Sequence, residues 1–219
     1  MSEPVKTRRY NSLARQQGAR LSRLRMLEAA ARLFVENGYP RTSIKRIAEA
    51  ADVSEDLVFK VFGSKRSLLR SVLDMTIGGD DEDVPFLERE GPQRMRSLTD
   101  QSDQVAHLAA GIADQMVRVR PVDDMLRGAA AVDPTVADLR NDIQVRQRRE
   151  AMAVVAGWLA ERGPLAVDVE EAATTLWVLT GPDVHRMLVD EAGLDGPAYV
   201  AWLTRAISSA LLVPRDSLT

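Results

Sequence analysis

The sequence predicts an all-α protein made of an N-terminal three-helix helix-turn-helix domain and a C-terminal helical bundle, with about nine helices in total. Three observations support this fold class. Apolar residues recur at intervals of three and four along most of the 219 residues. Helix-capping residues precede many of these stretches. No segment alternates apolar and polar residues between turn signals, as a β-strand would.

The pattern divides the chain into three regions. Residues 1–20 contain five basic side chains, one acidic side chain and few apolar ones, which predicts a flexible basic arm. Residues 21–75 form the predicted helix-turn-helix domain. The Gly78-Gly79 pair and the acidic loop that follows it interrupt the helical pattern. We therefore expect residues 76–219 to form a separate helical domain for ligand binding and dimerisation.

The N-terminal domain begins with a helix from Leu21 that ends at Gly38, a residue typical of a left-handed C-cap. Thr42 can cap a short second helix, and Ser54 can cap a third. Ser64 can cap a fourth, whose leucines lie on one face. These four segments give a compact helical unit with a tight turn between its second and third helices.

The C-terminal region is predicted to be helical throughout. Pro121 is expected to stop one amphipathic helix, and Asp133-Pro134 supplies an N-cap and a first-turn proline for a long helix that ends before Gly163. Asp168 caps the next helix, which we expect to be kinked at Pro182. The predicted helices cover residues 99–120, 122–132, 134–162, 168–189 and 197–212.

Charge is distributed unevenly along the chain. The whole sequence carries 29 basic and 32 acidic residues, but residues 1–75 carry 15 basic and 8 acidic ones. A basic N-terminal third joined to an acidic remainder is typical of a nucleic-acid reader fused to a second domain. There is no cysteine, and no apolar run is long enough to span a bilayer or to form a signal sequence. We therefore expect a cytoplasmic protein with no membrane partner.

The segment from Thr42 to Phe62 has the pattern of a helix-turn-helix, in which a packed first helix braces a second helix that reads base edges in the major groove. With the helices on either side, it resembles the DNA-binding domain of the tetracycline-repressor (TetR) family over residues 22–74. The matching residues are Ala29-Ala30, Leu33-Phe34, Gly38-Tyr39, Thr42-Ser43-Ile44, Ile47-Ala48, Ala51-Asp52-Val53-Ser54, Phe62-Gly63-Ser64-Lys65 and Leu68-Leu69.

The resemblance implies a homodimer that binds double-stranded DNA at a palindromic operator, with half-sites about 34–36 Å apart. It also implies a regulator, usually a repressor, that a small-molecule effector releases from DNA. By position in the family motif, the side chains expected to contact DNA are Arg41, Thr42, Ser43, Lys45, Ser54, Glu55, Leu57, Phe59, Lys60 and Lys65.

The reading helix departs from the family pattern. Asp56 stands where glycine is common, and Phe59 and Val61 stand where tyrosine or histidine would bind phosphate. Hydrogen-bond readout would then depend mainly on Lys60, while apolar side chains could contact thymine methyl groups. An alternative therefore stays open, in which the chain is a ligand-binding helical dimer that has lost specific DNA recognition and acts by sequestration or protein contact.

Nothing in the sequence predicts catalysis, a metal site or a cofactor. His107 and His185 lack the acid three residues before them that a di-iron helical site needs, and neither a serine-hydrolase turn nor a phosphate-binding loop is present. Bulky adaptable side chains on the C-terminal helices are instead candidates for an apolar effector pocket. The expected pocket residues are His107, Met116, Met125, Trp158 and Trp177.

Two C-terminal helices carry long apolar faces that are expected to pair across a two-fold axis into a four-helix interface. These faces could alternatively be covered within one chain. The residues concerned are Ala172, Leu176, Leu179, Val184 and Leu188 on one helix, and Trp202, Ile207 and Leu211 on the other.

Overall fold

A computed structural model describes the backbone of residues 5–82 and 84–214, with side chains from Arg15 onwards. The chain divides into two compact units, Met1–Met75 and Thr76–Thr219. Both are helical, and the described residues contain no β-sheet, only an isolated bridge between Leu165 and Leu212. The predicted all-α class is confirmed.

Four helices account for most of the first unit. Helices α1 to α4 span Val5–Asn37, Ile44–Ala51, Glu55–Phe62 and Lys65–Gly78. The last three residues of α4, from Thr76, belong to the second unit.

Helix α1 starts well before the predicted position. The arm expected over residues 1–20 is helical from Val5, and residues 1–4 lie outside the described part of the chain. Every side chain from Arg15 to Leu21 is exposed. The Ala, Leu, Gln and Arg residues of this extension are good helix formers, and a helix already nucleated in its packed part extends at little cost. The prediction of a flexible arm is therefore wrong for residues 5–20.

The first unit is built around one apolar face of α1. Leu27 and Phe34 on this face are fully buried, as are Ile47 of α2 and Leu68 of α4. Val58 of α3 is also buried. Fully burying side chains of this size contributes about 1.5–3 kcal/mol each. This packing holds the two short helices α2 and α3 at a fixed angle to α1.

The second unit contains seven further helices. They are α5 (Glu90–Ser97), α6 (Gln101–Ala130), α7 (Pro134–Asn141), α8 (Arg148–Ala160), α9 (Val169–Leu179), α10 (Pro182–Arg186) and α11 (Gly196–Leu211). Single π-helical turns cover Asp142–Gln147 and Met187–Glu191, and a short 3₁₀ turn covers Phe86–Glu88.

Pro121 does not end a helix, because the predicted helices 99–120 and 122–132 form the single helix α6. A proline inside a helix removes one hydrogen bond and costs about 3 kcal/mol. The apolar stripe of α6 continues on both sides of it, with Met116 and Val119 buried before it and Val122 and Leu126 buried after it. Burial of this stripe outweighs the local cost.

The long helix predicted over residues 134–162 is also altered. It begins as expected at the Asp133 N-cap, but the π-helical turn Asp142–Gln147 separates α7 from α8. In this turn the backbone carbonyl of Gln144 accepts a hydrogen bond of 3.0 Å from the Trp177 indole nitrogen. A π-helical turn shifts the helix register by one residue, which a regular 3.6-residue period does not predict.

The core of the second unit lies among α6, α8, α9 and α11. Ala172 and Leu176 of α9 and Ile207 and Leu211 of α11 are fully buried in it. These four residues had been expected at a dimer interface, but they are covered within one chain. Leu179, Val184, Leu188 and Trp202 from the same predicted faces are only half-buried.

Candidate nucleic-acid interface and ligand cavity

Two serine caps position the helix-turn-helix. The Ser43 hydroxyl accepts a hydrogen bond of 3.2 Å from the Arg46 amide at the start of α2, and Ser54 accepts one of 3.2 Å from the Leu57 amide at the start of α3. Asp52 joins the helices with a positive φ of 54°. Asp tolerates this left-handed conformation better than most residues, which explains how the turn forms without glycine.

Helix α3 has a buried side and an exposed side. Val58 and Phe62 pack into the unit, and Phe62 also lies under the Arg23 guanidinium, 5.4 Å from the ring centre. Phe59 and Val61 are 48% and 40% exposed. Residues 59–61, between the buried Val58 and Phe62, are therefore open to solvent.

The structure places most of the predicted DNA-contacting side chains at the surface. Leu57 and Lys65 are half-buried. The exposed set comprises Arg41, Ser43, Lys45, Ser54, Glu55, Phe59 and Lys60. Asp56, which departs from the family pattern, is exposed on the same helix.

Thr42 is the exception, and its prediction as a phosphate contact is wrong. Its side chain is 1% exposed. Its hydroxyl lies 3.0 Å from the carbonyl oxygen of Leu33 and 2.9 Å from that of Gly38, so its proton is used inside the unit. The cap of α2 that the sequence assigned to Thr42 is supplied by Ser43. Through these hydrogen bonds Thr42 instead holds the loop before α2 against the end of α1.

Lys65 begins α4 and is held against Tyr39. Its ammonium nitrogen donates to the Tyr39 carbonyl oxygen at 2.5 Å and lies 4.2 Å from the centre of the Tyr39 ring. The Ser64 hydroxyl accepts a hydrogen bond of 3.0 Å from the Ser67 amide, which confirms the predicted cap. These contacts fix a cation at a helix N-terminus, where anions bind favourably.

The second unit contains a cavity of about 300 Å³ among the end of α4, α5, α6 and α8. Its lining is mostly apolar and includes Met95, Leu108, Ile112 and Val155. A smaller cavity of about 120 Å³ lies next to it. The two share the lining residues Ile77, Phe86, Ile112, Gln115 and Met152.

Three of the five predicted pocket residues line these cavities. His107 and Trp158 line the larger one, and Met116 lines the smaller one. Met125 and Trp177 line neither. The Trp177 indole nitrogen instead donates a hydrogen bond to the Gln144 backbone carbonyl. His107 Nε2 lies 3.0 Å from the Gly91 carbonyl oxygen, within hydrogen-bond distance.

Three polar side chains of the larger cavity bind the last carbonyl groups of α4, and the sequence did not reveal them. Gln115 donates to the Ile77 oxygen at 3.0 Å. Arg118 donates to the Thr76 oxygen at 3.4 Å, and Arg89 donates to the Gly78 oxygen at 3.3 Å. The end of α4 is therefore tied to the side chains that a cavity ligand would touch.

Arg148 and Gln144 line the smaller cavity and were also missed by the sequence reasoning. Burial lowers the pKa of Arg148 to about 10, although the charges of Asp123 and Asp183 oppose this shift. Gln144 is 8% exposed and its Oε1 atom has no hydrogen-bond partner.

The residues that the structure describes meet the requirements neither of a metal site nor of a membrane-spanning helix. Among these residues no group of histidine, aspartate and glutamate side chains could hold a metal ion. Within the same residues no helix has both the length and the apolar character needed to cross a bilayer.

Sequence comparison finds relatives for the helix-turn-helix segment. The HTH-type transcriptional regulator YvkB of Bacillus subtilis is 45% identical over 49 residues, 22% of this chain and 26% of that protein. HbdR, an HTH-type transcriptional regulator of Aromatoleum sp., is 33% identical over 89 residues, 39% of this chain and 34% of that protein. The HTH-type transcriptional repressor Rv3405c of Mycobacterium tuberculosis is 47% identical over 49 residues, covering 22% of this chain and 26% of that protein. The chain therefore spans only 26–34% of the length of these relatives.

Solved structures share the fold over most of the chain. FadR from Bacillus subtilis, solved in complex with stearoyl-CoA, aligns with a TM-score of 0.65 and 17% identity over 85% of this chain and 97% of that one. NalD of Pseudomonas aeruginosa, the secondary repressor of the MexAB-OprM multidrug efflux pump, aligns with a TM-score of 0.62 and 21% identity over 89% and 97%. PfmR, a TetR family transcriptional regulator from Thermus thermophilus, has a TM-score of 0.60 and 20% identity over 86% and 99%.

The family model for the bacterial regulatory proteins of the tetR family matches residues 26–72, which contain the whole helix-turn-helix. The proteins related to this segment are transcriptional regulators. Residues 26–72 thus match the tetR family of bacterial regulatory proteins, and the fold of the described residues is shared with a solved structure from that family.

Proposed function

We propose that the chain is a homodimeric, DNA-binding transcriptional repressor that acts in the cytoplasm. In this proposal α3 binds a palindromic operator, and a small molecule in the C-terminal cavity releases the DNA. The exposed side of α3, opposite the buried Val58 and Phe62, is the observation that carries the proposal. A helix held by packing on one side and open on the other fits the major groove of DNA.

The proposed DNA contacts divide into backbone and base contacts. Ser43 and Lys45 at the start of α2, and Lys65 at the start of α4, are placed to bind phosphate groups. On α3, Lys60 can donate to guanine, and Phe59 can contact a thymine methyl group. Phosphate contacts provide affinity, and the two α3 side chains provide the sequence preference.

A dimer requires a surface that one chain leaves open. Val178 of α9 is 47% exposed and Met187 is 58% exposed, while Leu188 and Trp202 are half-buried. These side chains lie on α9, α11 and the turn between them, the region where the apolar faces were expected to pair. We propose that a second copy covers this surface and spaces the two α3 helices by about 34–36 Å.

The apolar cavity supports a small-molecule effector. Its volume of about 300 Å³ falls within the range of ligand pockets. The related FadR fold holds stearoyl-CoA, which shows that this architecture accommodates an acyl ligand in that protein. Because Arg89, Gln115 and Arg118 bind the end of α4, a ligand that engages them would change the position of this helix.

Binding to promoter DNA tests the proposal. The full chain is titrated with duplexes from the region upstream of its own gene and with random duplexes, at several salt concentrations. We expect tighter binding to one upstream duplex and an affinity that falls steeply with salt. Equal affinity for both duplexes without salt dependence would contradict the proposal and favour a dimer that has lost DNA recognition.

A pair of variants locates the contact. Lys60→Gln should weaken the preference for the upstream duplex, because it removes a donor from the exposed side of α3. Arg32→Gln is the matched control, since Arg32 is an exposed cation of α1 within the same unit and pairs with Glu36 at 3.9 Å. The control should bind like the wild type. An equal loss in both variants would indicate a general charge effect instead of reading by α3.

A further inference from the structure

The smaller cavity contains a cation that lacks a direct acid partner. The Arg148 guanidinium donates from one nitrogen to the carbonyl of Trp177 and to the Thr180 hydroxyl oxygen, the latter at 3.3 Å. Within the described residues no carboxylate forms an ion pair with it, and Asp123 and Asp183 act only at longer range. Its other two nitrogens, Nε and Nη1, make no hydrogen bond in this part of the chain.

Neighbouring arginines of the same unit are paired. Arg120 lies 2.6 Å from Asp190 and Arg186 lies 3.1 Å from Asp124. A buried charge is costly unless it is paired and hydrogen-bonded. Burial accordingly lowers the pKa of Arg148 to about 10, because the charged form loses hydration without gaining a carboxylate. The guanidinium remains charged at neutral pH.

A second polar group in the same cavity also lacks a partner. Gln144 is 8% exposed and its Oε1 atom makes no hydrogen bond. Leaving a buried polar group without a hydrogen-bond partner is unfavourable. Arg148 and Gln144 lie on neighbouring turns, on either side of the junction between the π-helical turn and α8. A bound anion would relieve the cost at Arg148, whereas the Gln144 Oε1 atom is an acceptor and needs a donor.

Most of the remaining lining is apolar. Met116, Val119 and Ile143 line the smaller cavity beside Arg148. Through shared lining residues the space is adjacent to the larger cavity, where Leu108 and Trp158 lie. One end of the combined space is therefore cationic and polar. The remainder is mainly apolar and suits a hydrocarbon body, although Arg89, Gln115 and Arg118 also line the larger cavity.

We propose that the effector is an anionic amphiphile whose carboxylate or phosphate group pairs with Arg148, while its apolar body extends from the smaller cavity into the larger one. At the same end the Gln144 amide nitrogen can donate a hydrogen bond to this group. The inference rests on the proposed effector role of the cavity, and it adds the chemical class of the ligand. A guanidinium donates charge-assisted hydrogen bonds to either anion, so a carboxylate and a phosphate are both tested.

The test compares three probes with the same alkyl chain: dodecanoate, dodecyl phosphate and dodecanol. Binding to the full chain is measured by calorimetry and by tryptophan fluorescence, in the absence of DNA. The wild type should bind at least one of the anions about tenfold or more tighter than the alcohol, because a charge-assisted hydrogen bond is stronger than a neutral one. The anion that binds more tightly shows whether the effector carries a carboxylate or a phosphate group.

Arg148→Gln should remove this preference while the affinity for dodecanol stays within about twofold. Arg149→Gln is the matched control, because Arg149 also lies over the Trp177 ring, at 5.2 Å, but is exposed and lines neither cavity. It should keep the preference. Arg148→Lys retains the charge without the planar fork and should show an intermediate preference. Circular dichroism confirms that each variant is folded.

Three results would overturn the inference: equal binding of all three probes, no binding of any probe, or an unchanged preference in Arg148→Gln. Because the measurement needs no DNA, its outcome is separate from that of the DNA titration. If the chain binds its operator but shows no anion preference, only this inference is refuted. If the chain prefers anions but does not bind DNA, the proposed function is refuted and the inferred ligand class is supported.

Discussion

The two units of the molecule bury different kinds of side chain. In the described part of the first unit the buried core is apolar apart from Thr42. In the second unit the buried set includes Gln104, Arg120, Asp123 and Gln144. The first unit therefore turns its functional groups outward, whereas the second encloses charged and polar groups. An outward surface suits a macromolecule such as DNA, and an enclosed polar site suits a small ligand.

The contrast is sharpest at Asp123, whose side chain is fully buried. Its carboxylate oxygens lie 3.7 Å from Arg127, 3.4 Å from Arg140 and 3.9 Å from Arg186. The exposed acids of α3, by comparison, lie in water, where a charge needs no partner. Buried ion pairs contribute little net stability, but breaking one leaves an uncompensated buried charge.

The largest expected effect is therefore that of Asp123→Ala, which should lower the free energy of unfolding by about 3–5 kcal/mol. Asp124→Ala is the control. Asp124 is adjacent and pairs with Arg120 and Arg186, but its side chain is 46% exposed, so its loss should cost about 1 kcal/mol or less. Urea unfolding followed by tryptophan fluorescence reports on this unit, because all three tryptophans lie in it. Equal effects of the two variants would contradict the contrast.

The same difference determines what the sequence could predict. In the first unit the Ser54 and Ser64 caps and the packed side of α3 follow from local rules, because the capping contacts span only three residues. Thr42 was misassigned because its hydroxyl partner at Leu33 is nine residues away. The reading residues of α3 were assigned by their position in the family motif, and all of them except Leu57 are exposed.

In the second unit the important contacts are long-range. His107 and Trp158 were found because bulky residues on an apolar face tend to line internal space. Arg148 could not be found, because its burial depends on contacts with Trp177 and Thr180, about thirty residues away, and on a π-helical turn. Helical periodicity predicts which face is buried, but it does not predict which distant group will lie opposite.

The next effect concerns the backbone of the first unit. Gly63 ends α3 with a φ of +75° and a ψ of −43°, a conformation that L side chains rarely adopt. Gly63→Ala should cost about 1–3 kcal/mol although its Cβ would meet open space, so the cost is conformational. Gly18→Ala in α1 is the control and should be neutral or stabilising by up to about 1 kcal/mol. Thermal unfolding followed by circular dichroism compares them, and a harmless Gly63→Ala would refute the conformational argument.

A smaller effect separates structure from DNA binding at Thr42. Thr42→Val keeps the shape but removes the hydroxyl from the Leu33 and Gly38 carbonyls, which should cost about 0.5–1.5 kcal/mol. The salt dependence of DNA affinity should stay unchanged. Lys45→Gln should instead leave stability unchanged and lower the slope of log affinity against log salt by about 1 per subunit. A lowered slope in Thr42→Val would restore its role as a phosphate contact.

The smallest effect is a pH dependence that belongs to the second unit. Arg120 lies 2.8 Å from His185 Nδ1, and a guanidinium can only donate, so this nitrogen accepts and the imidazole is neutral. Burial and the charge of Arg120 lower the pKa of His185 below its ordinary 6.5, against the opposing charge of Asp190. The Tyr199 ring packs against the same imidazole at 4.7 Å. His185 therefore binds a proton less readily in the folded protein than in the unfolded chain.

Stability should consequently fall as the pH drops from 6.5 towards the lower folded-state pKa. Asp183 and Asp190 do not contribute in this range. Burial raises the pKa of Asp183, but hydrogen bonds from Arg127 and Arg186 outweigh this, and a hydrogen bond from Arg120 lowers the pKa of Asp190. Both acids therefore lose their stabilising effect only below 3.8.

His185→Gln keeps an acceptor for Arg120 and should flatten the decrease in unfolding free energy between neutral pH and about pH 5, measured by tryptophan fluorescence in urea. The control His107→Gln should retain the decrease, and an identical decrease in both variants would show that the enclosed imidazole is not its source.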